Sequence, residues 1–145
     1  LTYKFHFAIL KKEVEQSRDG FYKSKMTKGQ VEAKISEAVS KFEIEYMGRG
    51  PKQIKTIITE DIIVVRLIGF LSPTEKKLAQ TKEGIELIKK VRATLFENAK
   101  DDLANLIKQV IDVDIAGIYS DVNTVNGEKV IVITLNENLE KKLSQ

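Results

Sequence analysis

Arg49 and Lys52 stand in EYMGRGPKQIKT, residues 45 to 56, where two glycines and a proline interrupt the chain. A guanidinium and an ammonium on a glycine-rich bend can grip carboxylate or phosphate, with Arg49 as the bidentate partner. Phosphate cradles, however, use the positive N-terminal end of a helix, and this stretch follows the negative C-terminal end of a helical pattern. It therefore reads first as a helix stop. Gly48 is placed to take the left-handed conformation, and Gly50 and Pro51 end the helix and turn the chain. An anion or partner contact through Arg49 and Lys52 is the second reading. Arg66, inside IIVVRLIG, is the third candidate. Strand alternation puts Ile63, Val65 and Leu67 on one face and Ile62, Val64, Arg66 and Ile68 on the other, leaving Arg66 to solvent, a partner or a helix carboxylate.

Other chemistries lack their residues. His6 is the only histidine and there is no cysteine, so a histidine base, a triad or a zinc site would have to rest on one side chain. No catalytic residue, metal ligand or cofactor is expected. Neither GxxxxGK[ST] nor GxGxxG occurs, which removes the usual nucleotide signatures. The carboxylates come as Glu43/Glu45, Glu60/Asp61, Asp101/Asp102 and Asp112/Asp114, spacings that read as solvated surface. In TEKKLAQTKEGIELIKKVR, Lys76, Lys77, Lys82, Lys89, Lys90 and Arg92 alternate with Glu75, Glu83 and Glu86. That is a mixed, soluble helix face, with a basic platform for anionic lipid or an acidic partner as its second reading.

The formal charge is +3. Residues 1–25 carry six basic and three acidic side chains, leaving 18 of each in residues 26–145. A nucleic-acid-binding module carries its basic excess on the fold, so nucleic acid is an unlikely partner of this balanced core. With 42% hydrophobic and 31% charged residues, the chain has the composition of a soluble globular domain. No apolar run reaches the roughly 20 residues that span a bilayer.

The elements follow from periodicity. LTYKFHFAIL alternates as a half-buried strand, and Met26 opens a new pattern, so residues 1–25 are expected to be an appended or variable lead-in to a single domain over 26–145. Thr27 and Gln30 form a capping box for a helix whose apolar face is Val31, Ile35, Ala38, Val39, Phe42 and Tyr46. QIKTIIT and DIIVVRLIG are strands joined at Glu60-Asp61. Ser72, Pro73 and Glu75 occupy N-cap, N1 and N3 of a short helix. Near Thr81–Gly84 it yields to a long helix over 82–111, with the stripe Ile88, Val91, Leu95, Ala99, Leu103, Leu106 and Val110. At about 45 Å that helix outruns a small sheet, which predicts a homodimer through it. VDIAGIYSDV and EKVIVITL flank the hairpin turn Asn126-Gly127, and ENLEKKLSQ closes the chain as a short helix or frayed tail. The predicted fold is α+β: a four-stranded antiparallel sheet in α-β-β-α-β-β order, with helices on one face.

From Met26 the chain resembles the MpsC-like family, components of a Na⁺-translocating membrane-potential-generating system, long described as a bacterial domain of unknown function. The resemblance is carried by MTKGQVEAKISEAVSKFEIEYMGRGPKQIKT, IIVVRLIGFLSPTEKKLAQTKEGIELIKKVR, LFENAKDDLANLI and TVNGEKVIVITL, and it spans residues 26–135. The segments MGRGPK and LSPTEKKLAQTKEG are its most distinctive parts. It implies a non-enzymatic cytoplasmic accessory, with a peripheral place at the inner face of the membrane as a further expectation, serving membrane-potential generation or inorganic-carbon supply through a membrane-protein partner. It supplies no catalytic residues. The residues alone leave open a small-anion or metabolite sensor using the Gly48–Lys52 loop.

Overall fold

The computed structural model describes residues 25–145; the strand reading of residues 1–10, His6 and the lead-in lie outside them. The order is α1 (Lys28–Met47), β1 (Gln53–Thr59), β2 (Ile62–Ile68), α2 (Pro73–Leu78), α3 (Lys82–Val110), β3 (Ile115–Asn123), β4 (Glu128–Leu135) and α4 (Leu139–Leu143). The four strands form one antiparallel sheet in the order β1-β2-β4-β3. This is the predicted α+β architecture.

Each boundary has a local cause. Thr27 accepts from the Gln30 amide while the Gln30 side chain accepts from the Thr27 amide, which satisfies two amides that the first turn leaves without partners. Gly48 ends α1 at φ 81°, a conformation that costs glycine little. Ser72 and Glu75 make the second capping box, with Pro73 in the first turn. Glu60 takes φ 52° in the two-residue β1–β2 turn, which works without the Asn-Gly or Asp-Gly pair such turns favour. In β3 the register shifts between Ile115 and Gly117, leaving Ala116 as the extra residue of a bulge.

The main core lies between the sheet and the helices. Val31, Ile35, Val39 and Phe42 of α1 meet Ile58, Ile63, Val65, Leu67, Ile131 and Ile133 of the sheet and Phe96, Leu103 and Ile107 of α3. A smaller cluster of Phe70, Leu71 and Ile88 sits where α2 meets α3, with Ala79 and Val122 against it. On the sheet's other face, the register aligns Ile57, Val64, Val132 and Tyr119 across all four strands. Ile57 and Tyr119 are exposed there, and the Tyr119 ring lies over Gly117, where an added Cβ would meet its hydroxyl at 2.7 Å.

Two expectations are corrected. Val91 and Leu95 do not belong to the buried stripe of the long helix: they are 49% and 40% exposed, with Leu87 beside them at 51%. Arg92 and Phe96 are buried instead. Arg92 can be buried because its charge is met by Glu75, at 2.7 Å from both Nε and Nη2, and because it stacks 4.6 Å above the Phe70 ring. It is therefore not part of the mixed soluble face. The second correction is Glu43, which is not solvated surface. It lies against the sheet and accepts a 2.7 Å hydrogen bond from Lys129 Nζ, both side chains being 2% exposed. Of the other carboxylates, Glu60, Asp61, Asp112 and Asp114 are exposed, and Asp102 is half-buried, accepting from the Tyr46 hydroxyl.

Candidate functional site

The helix stop after α1 delivers Lys52 to the start of β1, where its amide donates to the Ile68 carbonyl at 2.8 Å. Directly opposite, Gly69 has φ 79°, and an added Cβ would lie 2.8 Å from Lys52 Cγ. Glycine is thus required twice here, for the backbone and for room under the lysine stem. The Gly69 amide donates to the Gly127 carbonyl at 2.9 Å, pinning the β3–β4 turn to the end of β2. Leu71 and the Ser72 cap then start α2, which carries Lys76. At the α2–α3 elbow, a Cβ on Gly84 would fall 1.7 Å from the Leu78 carbonyl oxygen, so only glycine allows α3 to start this close to α2.

These segments enclose a cleft of about 600 Å³ lined by Lys52, Ile68, Leu71, Lys76, Ile85 and Val125, among others. Lys52 and Lys76 are the charged side chains in its wall, and neither pairs with a carboxylate among the described residues. A second hollow of about 590 Å³ shares Ile85, Thr124 and Val125 with the first and adds Lys89, Asp121 and Glu128. MGRGPK, LSPTEKKLAQTKEG and TVNGEK, distant in sequence, thus converge at one end of the sheet.

The α2 side of the cleft is held by an ion pair. Arg92 ties α3 to Glu75 of α2 and to the Phe70 carbonyl at 3.3 Å. Burial alone would raise the Glu75 carboxyl, but hydrogen bonds from Arg92 and Ser72 and the guanidinium charge hold it below its ordinary value. Behind that wall, Lys129 Nζ lies 5.1 Å over the Phe96 ring. Burial pushes this ammonium below its ordinary value, with Glu43 pulling the other way.

The structure separates the three sequence candidates. Lys52 is exposed at the cleft. Arg49 is half-buried in the bend before β1 and is not among the residues lining the cleft. Arg66 is on the sheet's other face, where its Nε donates to Glu128 at 2.6 Å; its partner comes from a strand rather than a helix. Gly48, Gly50 and Pro51 serve the turn, with Ile44 Cγ1 3.0 Å from where a Cβ on Gly50 would stand. Lys76, set among the surface lysines by sequence, is the residue that joins Lys52. Lys129 was also missed, although alternation puts it on one face with Ile131, Ile133 and Leu135, a signal of burial.

Among the described residues, fold and site define an α+β unit with a cleft walled by Lys52 and Lys76 and with exposed apolar side chains on α3 and on the outer face of the sheet. The chain belongs to the MpsC family: the family model described as Na⁺-translocating membrane potential-generating system (MpsC) matches residues 27–137. It is similar to the uncharacterized protein YbcI of Bacillus subtilis (strain 168), 35% identical over 121 residues, covering 83% of this chain and 98% of YbcI. It is also similar to the uncharacterized protein YrhF of the same strain, 23% identical over 109 residues, covering 74% of this chain and 89% of YrhF. No solved structure matches. All of the cleft's lining lies within the matched residues.

Proposed function

We propose that the chain is a non-enzymatic accessory or regulatory protein of a membrane system, for membrane-potential generation or inorganic-carbon supply, acting through protein–protein contacts. The family name supports the membrane system. The observation that carries the contact role is the apolar stripe of Leu87, Val91 and Leu95, four residues apart on one side of α3 and left bare by the domain's own packing. Leucine and valine at that spacing make a continuous ridge that suits a second helix. In this reading α3 of one copy meets α3 of another, forming a homodimer through residues 82–111, and the open sheet face is left for a membrane-protein partner. No described helix is long and apolar enough to cross a membrane; in this reading attachment is peripheral, at the cytoplasmic face.

Photo-crosslinking in cells tests the partner claim. A crosslinker at position 57 or 119 on the sheet face should give an adduct with one integral membrane protein, and one at position 91 should give the chain's own dimer. Adducts confined to soluble proteins would overturn the membrane role.

A second reading, a small-anion or metabolite sensor, is favoured by one observation: Lys52 of the Gly48–Lys52 loop lines a cleft in which a second lysine, and no carboxylate, completes the charge.

A further inference from the structure

Lys52 and Lys76 are brought to the cleft by unrelated parts of the chain. Lys52 is fixed by the Ile68 carbonyl and by Gly69 beneath its stem. Lys76 is fixed by α2, which Arg92 clamps through Glu75. Neither lysine has a carboxylate in the cleft wall to answer its charge, and a bound anion would supply that countercharge. The polar groups nearby also favour an anion. Asn126 uses its side-chain oxygen to accept from the Glu128 amide at 3.0 Å, which leaves its NH₂ group to donate. Apart from Thr124, the rest of the wall is apolar, with Leu71, Ile85 and Val125 prominent. Val125 is 93% exposed on the turn, so its side chain is accessible to a ligand. Bare inorganic phosphate would use the lysines and leave this apolar lining wet.

We infer that the cleft binds a small organic anion, a phosphate or carboxylate on a compact apolar body, with Lys52 and Lys76 on the anionic group and Leu71, Ile85 and Val125 against the body. This rests on the sensor reading and changes its residues: Lys76 replaces Arg49 and Arg66 as the partner of Lys52.

The test is titration of the full chain by ¹⁵N NMR and thermal shift with four probes: phenyl phosphate, benzoate, inorganic phosphate and benzyl alcohol. Phenyl phosphate or benzoate should bind more tightly than inorganic phosphate, and benzyl alcohol should not bind. The stronger of the first two identifies the head group. The perturbed amides should be those of residues 68–71, 76–79 and 124–127. Lys52→Gln and Lys76→Gln, both at exposed positions, should each weaken binding roughly tenfold, as loss of a charge-assisted contact does, without moving the thermal midpoint of the free protein. Anion binding that survives both substitutions but is lost in Arg49→Ala would overturn this assignment while leaving the sensor reading standing. No response to any anionic probe would remove both, and equal binding of benzyl alcohol would make the cleft merely apolar.

Discussion

The two halves of α3 follow different rules. From Ala99 to Val110 the helix lies in the main core, and Ala99, Leu103, Leu106, Ile107 and Val110 are buried at ordinary helical spacing. From Lys82 to Phe96 the domain covers it less completely. Here a glycine and an arginine take buried positions, two ion pairs brace the packing, and Leu87, Val91 and Leu95 remain outside. One half holds the fold together by close apolar packing. The other clamps an elbow between α2 and α3, and around that elbow lie the cleft and the exposed stripe.

The sharpest test of this contrast is at the boundary between the halves. Glu43→Ala strands the Lys129 ammonium under the sheet and should cost about 3–5 kcal/mol in urea denaturation, whereas replacing Glu43 and Lys129 together by methionine should be nearly neutral or stabilising. If the double replacement is as damaging as the single one, the pair is doing something other than balancing charge. Leu103→Ala, in the packed half, should lose about 2–5 kcal/mol with no rescue by any surface change. Glu75→Gln should loosen the elbow by about 1–3 kcal/mol at neutral pH. The Glu75 carboxyl is held below its ordinary value of 4.5, so its contribution is complete above that value and is lost as the pH falls through the lower, folded value. Thermal midpoints of wild type and Glu75→Gln should therefore converge on acidification, and a gap that stays constant with pH would remove the ion pair as its cause. Val91→Ser should be the mildest for the isolated fold, within about 0.5 kcal/mol.

The same contrast explains what could be read from sequence. The caps at Thr27 and Ser72, the stop at Gly48 and most of the face of α1 follow from local rules and stand where those rules put them. Both hairpins form as expected, but β1–β2 turns without an Asn-Gly or Asp-Gly pair and β3–β4 turns through the whole of residues 124–127. The errors lie where a distant residue decides. Arg92 looks like a surface cation until Glu75 and Phe70 are folded against it, and Glu43 looks solvated until β4 brings Lys129 beneath it. Val91 and Leu95 fit a helical stripe equally well, and only the neighbouring elements decide that Arg92 and Phe96 face inward instead. The cleft was half legible: MGRGPK and LSPTEKKLAQTKEG stood out as segments, but the placing of Lys52 and Lys76 in one cleft wall is a product of the β1–β2 register and the α2–α3 elbow.

The contact role of the bare half of α3 is the central claim, and multi-angle light scattering behind size exclusion tests it most directly. At micromolar concentration the wild-type chain should run as a dimer, and a chain with Leu87, Val91 and Leu95 changed to serine should run as a folded monomer. A wild-type monomer, or a dimer that survives all three substitutions, would contradict it.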